Sequence, residues 1–350
     1  MPGLKLRRGT VLGTDPLEVE VAGERRRAWA DEGLVGPSEA GDEVVVNTAA
    51  VDLALGSGGF DVVHVNLTRG LESGDSAPGV HVMKLNYTSL QHPVEPIEAP
   101  ADAAARPARR VPVCVLPLHG HLAPVAWACG GRVGFVQAGG GGLPGSLSGD
   151  VRELRERGLL CGHVTVAPCY GGEAEAISLT GALHAAADSL GWDAVVVGPG
   201  PGILGSETRY GHGGMAALDG IHAALALGLP AIVSARMSAG DPRERHLGLS
   251  HHTRSVLELA LGGVEVGVPA SIEELWPEGV ERLGFAGEGG RRGEHSWVSE
   301  EVDLAGYAAS GLPARTMGRT LDEDRLFFAS PLAAGALLAR SVVSSRIDPA

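Results

Sequence analysis

Over residues 4–92, hydrophobic and polar positions alternate in short runs broken by Gly, Pro or Asp. VLGT (11–14), LEVEVAG (17–23), EVVVNT (43–48), FDVVHVNL (60–67) and VHVMKL (80–85) carry the β-branched residues. In LEVEV and VHVMKL the period is two, which predicts half-buried antiparallel strands. Gly36-Pro37, Gly41-Asp42 and Gly56-Ser57-Gly58-Gly59 supply turns. Short strands at this spacing must bury one common face, so residues 1–92 are expected to form a small all-β, barrel-like domain.

Residues 93–110, rich in Pro and Ala and without period, read as a linker. Beyond them the pattern changes. VPVCVLPL (111–118), RVGFVQ (132–137), HVTVAP (163–168), AVVVGP (194–199), PAIVSAR (230–236) and VEVGVP (264–269) are near-continuous apolar runs. Such runs suit strands buried on both faces. Helical patterns lie between them, at 148–158, 173–191, 214–228 and 250–262. The alternation predicts an α/β domain over 111–270, with a largely parallel sheet and helices on both faces. Residues 271–350 read as a C-terminal extension, partly ordered around the glycine-rich stretch 284–295 and ending in an alanine-rich packing helix.

Composition narrows the function. The chain has 350 residues, 44% hydrophobic, enough for a sizeable core and for two domains. Its net charge of −14 argues against nucleic-acid and anionic-membrane partners. Aromatic residues are only 4%, too few for stacking platforms on single strands. Cys114, Cys129, Cys161 and Cys169 lack C-x-x-C spacing and have apolar flanks, so they read as core residues. The opening MPGLKLRRGT lacks the apolar run of a secretory signal, and no stretch of ~18 uninterrupted apolar residues spans a membrane. A cytoplasmic protein is the expectation, and a homo-oligomer is compatible with it.

In open parallel sheets, ligands bind outside the carboxyl ends of the strands, so the loops after the strands carry the candidate chemistry. After AVVVGP, Gly200, Gly202 and Gly205 match G-x-G-x-x-G. A dinucleotide site also needs a helix opening at the third glycine and an acidic residue at the next strand end. Here the helix pattern starts near Gly214 and the next strand ends in Arg236, so the fingerprint fails. Glycine backbone and Thr208 still allow a ligand to approach closely.

After PAIVSAR the chain carries Arg236, Asp241, Arg243, Arg245, His246, Ser250, His251 and His252. Ser250 is placed to cap a helix, which puts both following histidines in its first turn. A positive imidazolium is unfavourable at that end, so neutral histidines are expected, suited to hydrogen bonding, base work or metal ligation. A metal site would draw on Asp241, His246 and one or both of His251 and His252. Consecutive histidines, however, point to different faces of a helix, and three arginines repel a cation. The arginines and the helix start act together on an anion. Charge consistency therefore favours an anion over a metal.

Glu173, after HVTVAP and at the predicted start of the 173–191 helix, is either a dipole partner or a general acid or base. His119 and His121 read as structural, and no nucleophile-elbow pattern surrounds Ser146 or Ser148.

EVVVNTAAVDLALGSGG (43–59), VMKLNYTSLQ (82–91), LHGHLAPV (118–125), GGEAEA (171–176), the 198–214 loop, DPRERHLGLSHHT (241–253), TMGR (316–319) and Phe327-Phe328 together form a specific combination. In them the chain resembles a bacterial family of uncharacterised proteins, domain of unknown function 3866, along nearly its whole length. The resemblance implies a cytoplasmic bacterial protein with an N-terminal β-domain, and implies no activity or cofactor. In that family the position of Gly120 usually carries Ser and that of His212 an aromatic residue, departures that weaken any role for either.

The residues point first to an enzyme acting on a small phosphorylated or carboxylated substrate. Gly200, Gly202, Gly205, Thr208, Arg236, Arg243, Arg245 and Ser250 would bind it. His246, His251 and His252 would transfer protons, with Asp241 and Glu173 as further catalytic candidates. The alternatives are a non-catalytic metabolite-binding or regulatory protein and a metal-dependent hydrolase.

Overall fold

The computed structural model describes residues 3–55, 58–71, 79–280 and 294–347. The chain divides into two compact units, Met1–Val94 and Glu95–Ala350.

In the first unit, Leu6–Thr14, Leu17–Val21, Glu24–Trp29, Asp61–Asn66 and Glu43–Asn47 close a five-stranded barrel in that order. Period-two alternation turns Val19, Val21, Val44 and Val46 into its core, with Val11 and Val63. The strand Glu24–Trp29 is absent from the sequence expectation because ERRRAW shows no apolar alternation. It pairs by backbone with both neighbouring strands, and its side chains add charge pairs: Arg25 meets Glu18, and Arg26 reaches Asp52 and Asp61 at 2.6 Å. Of the predicted strand 80–85 only Val82–Lys84 pairs, antiparallel to His92–Val94 and apart from the barrel. Gly56 and Ser57 of one predicted turn lie outside the described residues.

The second unit is built on an eight-stranded parallel sheet. In spatial order it runs Ala174–Ala176, Gly162–Val166, Val133–Ala138, Ala194–Pro199, Val113–Val115, Ala231–Ser234, Glu265–Pro269 and Ser296–Glu300. Alternate residues of one strand feed two cores. Val113 and Val115 meet Leu183 and Ile221 of the helices Leu179–Asp188 and Ala216–Ala226 on one face. Cys114 joins Leu122 and Val125 of Leu122–Cys129 and Phe327 of Arg325–Ile347 on the other. Burial on both faces is why these strands read as continuous apolar runs.

Three boundaries differ from the sequence expectation. The segment read as a helix from 173 is first an edge strand, Ala174–Ala176, and the helix starts only at Leu179, capped by Ser178. Residues 95–110 are not a free linker. Ile97 donates its N–H to the Glu175 carbonyl, and Asp188 accepts the Ala108 N–H, so this stretch is tied along the second unit. The C-terminal residues are no mere extension, because Ser296–Glu300 completes the sheet and Arg325–Ile347 runs across its face. Gly267 lets the helix in: a Cβ there would sit 2.8 Å from the Ala334 backbone. That helix is long and apolar enough to cross a membrane, but 67% of the qualifying stretch is buried inside the fold. Residues 284–293 of the glycine-rich stretch lie outside the described residues.

The winding fixes where a ligand would sit. From Val113–Val115 the chain builds outward to Ala174–Ala176, then returns to place Ala194–Pro199 and Ala231–Ser234 on either flank of that first strand. Direction reverses there, so the carboxyl ends of these three strands form the topological switch point.

Candidate functional site

Loops 116–121, 200–213 and 235–250 leave those three carboxyl ends side by side. With residues 315–317 they enclose a cleft of about 750 Å³. The volume falls within the range of small-molecule sites, roughly 300–1,000 Å³.

The third loop enters a helix, His251–Leu259, whose first N–H groups need a partner. Ser250 provides it: its Oγ accepts the His252 N–H at 3.3 Å and lies 2.7 Å from His246 Nδ1. The cap thus fixes the helix start and the His246 ring together. Consecutive histidines were expected to diverge, yet the His251 and His252 rings are 4.3 Å apart, both facing the glycine loop folded across the helix start. His212, for which no role was expected, comes from that loop and stacks on His252 at 3.7 Å and 12°. His246 lies 4.9 Å from both His251 and His252. Four imidazoles form one cluster.

These histidines are neutral near neutral pH. Burial first, then the Arg236 charge, pushes His246 down to about 3. Burial, then the neighbouring His212 and Arg236, pushes His252 down to about 2. His212 and His251 are lowered too, chiefly by burial. Two tautomers are set by backbone. His212 Nε2 donates to the Arg209 carbonyl at 3.1 Å, and His251 Nδ1 donates to the Arg245 carbonyl at 3.3 Å. Each ring then keeps its other nitrogen as an acceptor. One ring nitrogen each from His212, His251 and His252 lies within 4.8 Å of the other two.

Behind the cluster stands a buried charge network. Arg243 grips Asp241 with Nε and Nη2, each at 2.8 Å, while Arg236 and Arg319 reach the same carboxylate at 3.3 and 3.4 Å. Burial alone would raise the Asp241 pKa, but the Arg243 hydrogen bonds outweigh it and hold the carboxyl well below the usual range. Asp241 is therefore a fixed anion that positions arginines, and it neither faces the cleft nor is free to take a proton. Arg236 is 3% exposed, gives Nη1 to His252 Nδ1 at 3.3 Å, and has no partner for Nε among the described residues. Burial pushes its guanidinium down to about 10, still charged at neutral pH.

Of the residues singled out in the sequence, Gly202, Gly205, Thr208, Arg236, Arg243, Arg245, His246, His251 and His252 line the cleft. Gly200 does not. Its missing Cβ makes room for the Gly142 carbonyl, as Gly213 does for Gly140, so these glycines let two backbones pack. Ser250 is wholly buried as the cap. Glu173 is not brought to the cleft: it pairs with Arg155 at 2.6 Å beside the sheet edge. Its expected place at a helix start vanished because residues 174–176 are a strand. Sequence reasoning missed His212, His119, Arg315 and Met317 on the cleft wall. The TMGR motif, one of those that carry the family resemblance, was the signal for Met317.

The family model described as a protein of unknown function (DUF3866) matches residues 27–335. The chain belongs to this family. Its match spans all three cleft loops and residues 315–317, so the cleft lies wholly inside the family's extent. No curated protein and no solved structure matches the chain.

Proposed function

We propose that this protein is an enzyme acting on a small anionic substrate, phosphorylated or carboxylated, held in the cleft at the switch point. One observation carries the reading. The cleft wall bears Arg236, Arg243, Arg245 and Arg315 against a single carboxylate, Glu207, in a chain of net charge −14. A basic cleft in an acidic protein focuses anions into it. Arg243 is committed to Asp241, and Arg245 gives Nη2 to Glu207 at 3.3 Å; the Nε groups of Arg236 and Arg245 are buried without partners among the described residues, and they would serve an anion once those side chains turn to it. His251 is half-buried and keeps Nε2 as acceptor, so it is the proton carrier best exposed to a bound substrate.

The test is a thermal-shift titration with inorganic phosphate and simple carboxylates, followed by incubation with a panel of phosphorylated and carboxylated metabolites read by mass spectrometry. The reading expects stabilisation that Arg245→Gln removes, together with conversion of at least one compound. No anion effect on the melting temperature would overturn it. A ligand that binds but is always recovered unchanged would favour the non-catalytic alternative.

A further inference from the structure

We infer that His212, His251 and His252 form a site for one divalent transition-metal ion of the zinc class, with a coordination position open to the cleft, and that occupying it frees Arg236 to hold the anion. The second half rests on the anionic-substrate reading, though not on His251 as its proton carrier, a part that ring cannot play while its Nε2 ligates; the first half rests on neither.

The case begins with His212. Its Nε2–H is taken by the Arg209 carbonyl, and its Nδ1 is buried with no partner among the described residues. A buried acceptor without a donor is unfavourable. His251 repeats the arrangement, with Nδ1–H on the Arg245 carbonyl. Metal-bound histidines characteristically give their second N–H to a carbonyl or carboxylate, which fixes ring orientation and makes the free nitrogen a better ligand. Here two histidines are held that way, and a third, His252, lies against both. His246 lies outside the set: the ring nitrogens that gather within 4.8 Å of one another are those of His212, His251 and His252.

Three imidazoles select zinc, cobalt, nickel or copper over magnesium or calcium. Nitrogens bound at ~2.0–2.1 Å to a tetrahedral ion lie about 3.3 Å apart. The present spacing, within 4.8 Å, closes to that by ring rotations that open the His212–His252 stack.

Ligation changes Arg236. It now donates Nη1 to His252 Nδ1. An ion on Nδ1 takes that lone pair, and an ion on Nε2 moves the ring proton to Nδ1. Either way Arg236 loses its acceptor and its Nη1 and Nε both turn to the cleft. The arginines that oppose a bare cation are offset once an anion joins it, so metal and anion binding must reinforce each other.

The experiment uses tag-free full-length protein, stripped with chelator and titrated with Co²⁺ and then Zn²⁺, with and without inorganic phosphate. Expected are one Co²⁺ per chain with visible ligand-field bands, displacement by Zn²⁺, and metal affinity raised roughly fivefold or more by phosphate. His212→Phe keeps a ring on His252 but removes Nδ1. It should weaken Co²⁺ by at least about 100-fold, beyond the 10–100-fold typical of an outer partner. Arg236→Gln, checked with Arg236→Lys, should leave Co²⁺ binding and abolish the phosphate effect. No stoichiometric Co²⁺, or equal affinity in a folded His212→Phe, overturns the inference even if phosphate still binds the metal-free protein. Co²⁺ uptake that phosphate never affects upholds the three-histidine site and overturns the coupling through Arg236, while the anion reading stands or falls on its own thermal-shift test.

Discussion

His212 and His252 lie face to face, ring centroids 3.7 Å apart and 12° from parallel, although one is on the loop after Ala194–Pro199 and the other in the helix His251–Leu259. The pair ties the glycine loop to the helix that carries His251 and His252. Replacing His212 with Ala should lower stability by about 0.5–1.5 kcal/mol, the worth of an aromatic pair. Phe at the same position should restore most of it. Urea denaturation of both variants reads the difference.

Ser250 is a cap and a clamp at once. Ser250→Ala should cost about 1 kcal/mol from the lost cap. It should also release the His246 ring, which histidine NMR resonances will report as a change confined to the cluster. If His246 is unmoved, the serine acts on the helix alone.

Asp241 is surrounded by Arg236, Arg243 and Arg319. Removing its charge by Asp241→Ala leaves three guanidinium groups facing each other, and about 3–5 kcal/mol of destabilisation is expected. Asp241→Asn retains acceptors and should cost less. Equilibrium unfolding of the two side by side separates charge from hydrogen bonding.

The second unit should lose stability in mild acid. Burial pushes His163 down to about 4 and, with Arg236 next, His121 down to about 3. Unfolded histidines take protons near 6.5, so below that pH the unfolded state binds protons that the folded state refuses. The contribution of these groups is complete above about 6.5 and falls as pH drops, by about 1.4 kcal/mol per unit for each, until pH passes the folded values. His163→Gln should flatten part of that slope in a series of chemical denaturations from pH 7 to 4.

Gly213 passes so close to the Gly140 carbonyl that an added Cβ would overlap it. Gly213→Ala should therefore displace the 200–213 loop and destabilise by about 1–3 kcal/mol, the range for overpacking. Gly205→Ala, where a Cβ meets nothing within 4 Å, is the matched control.

Sequence alone determined what short-range physics encodes. Short β-branched runs gave four of the five barrel strands, continuous apolar runs gave the parallel sheet, and Ser250 before two histidines gave a capped helix start. It also placed the arginines on the loops after the strands. Where charge replaced apolar period, as in Glu24–Trp29, or where a short edge strand preceded a helix, as in Ala174–Ala176, the local signal was silent or misleading.

Tertiary structure decided strand order, and with it which loops meet. No local pattern states that Ala194–Pro199 and Ala231–Ser234 flank Val113–Val115. That neighbourhood is what brings His212 onto His252, and the fold of the charged loop is what turns Asp241 from a catalytic candidate into the anchor of three arginines. Capping and periodicity act within a few residues and can be read along a line. The cluster depends on long-range packing, and only the folded chain holds its members together.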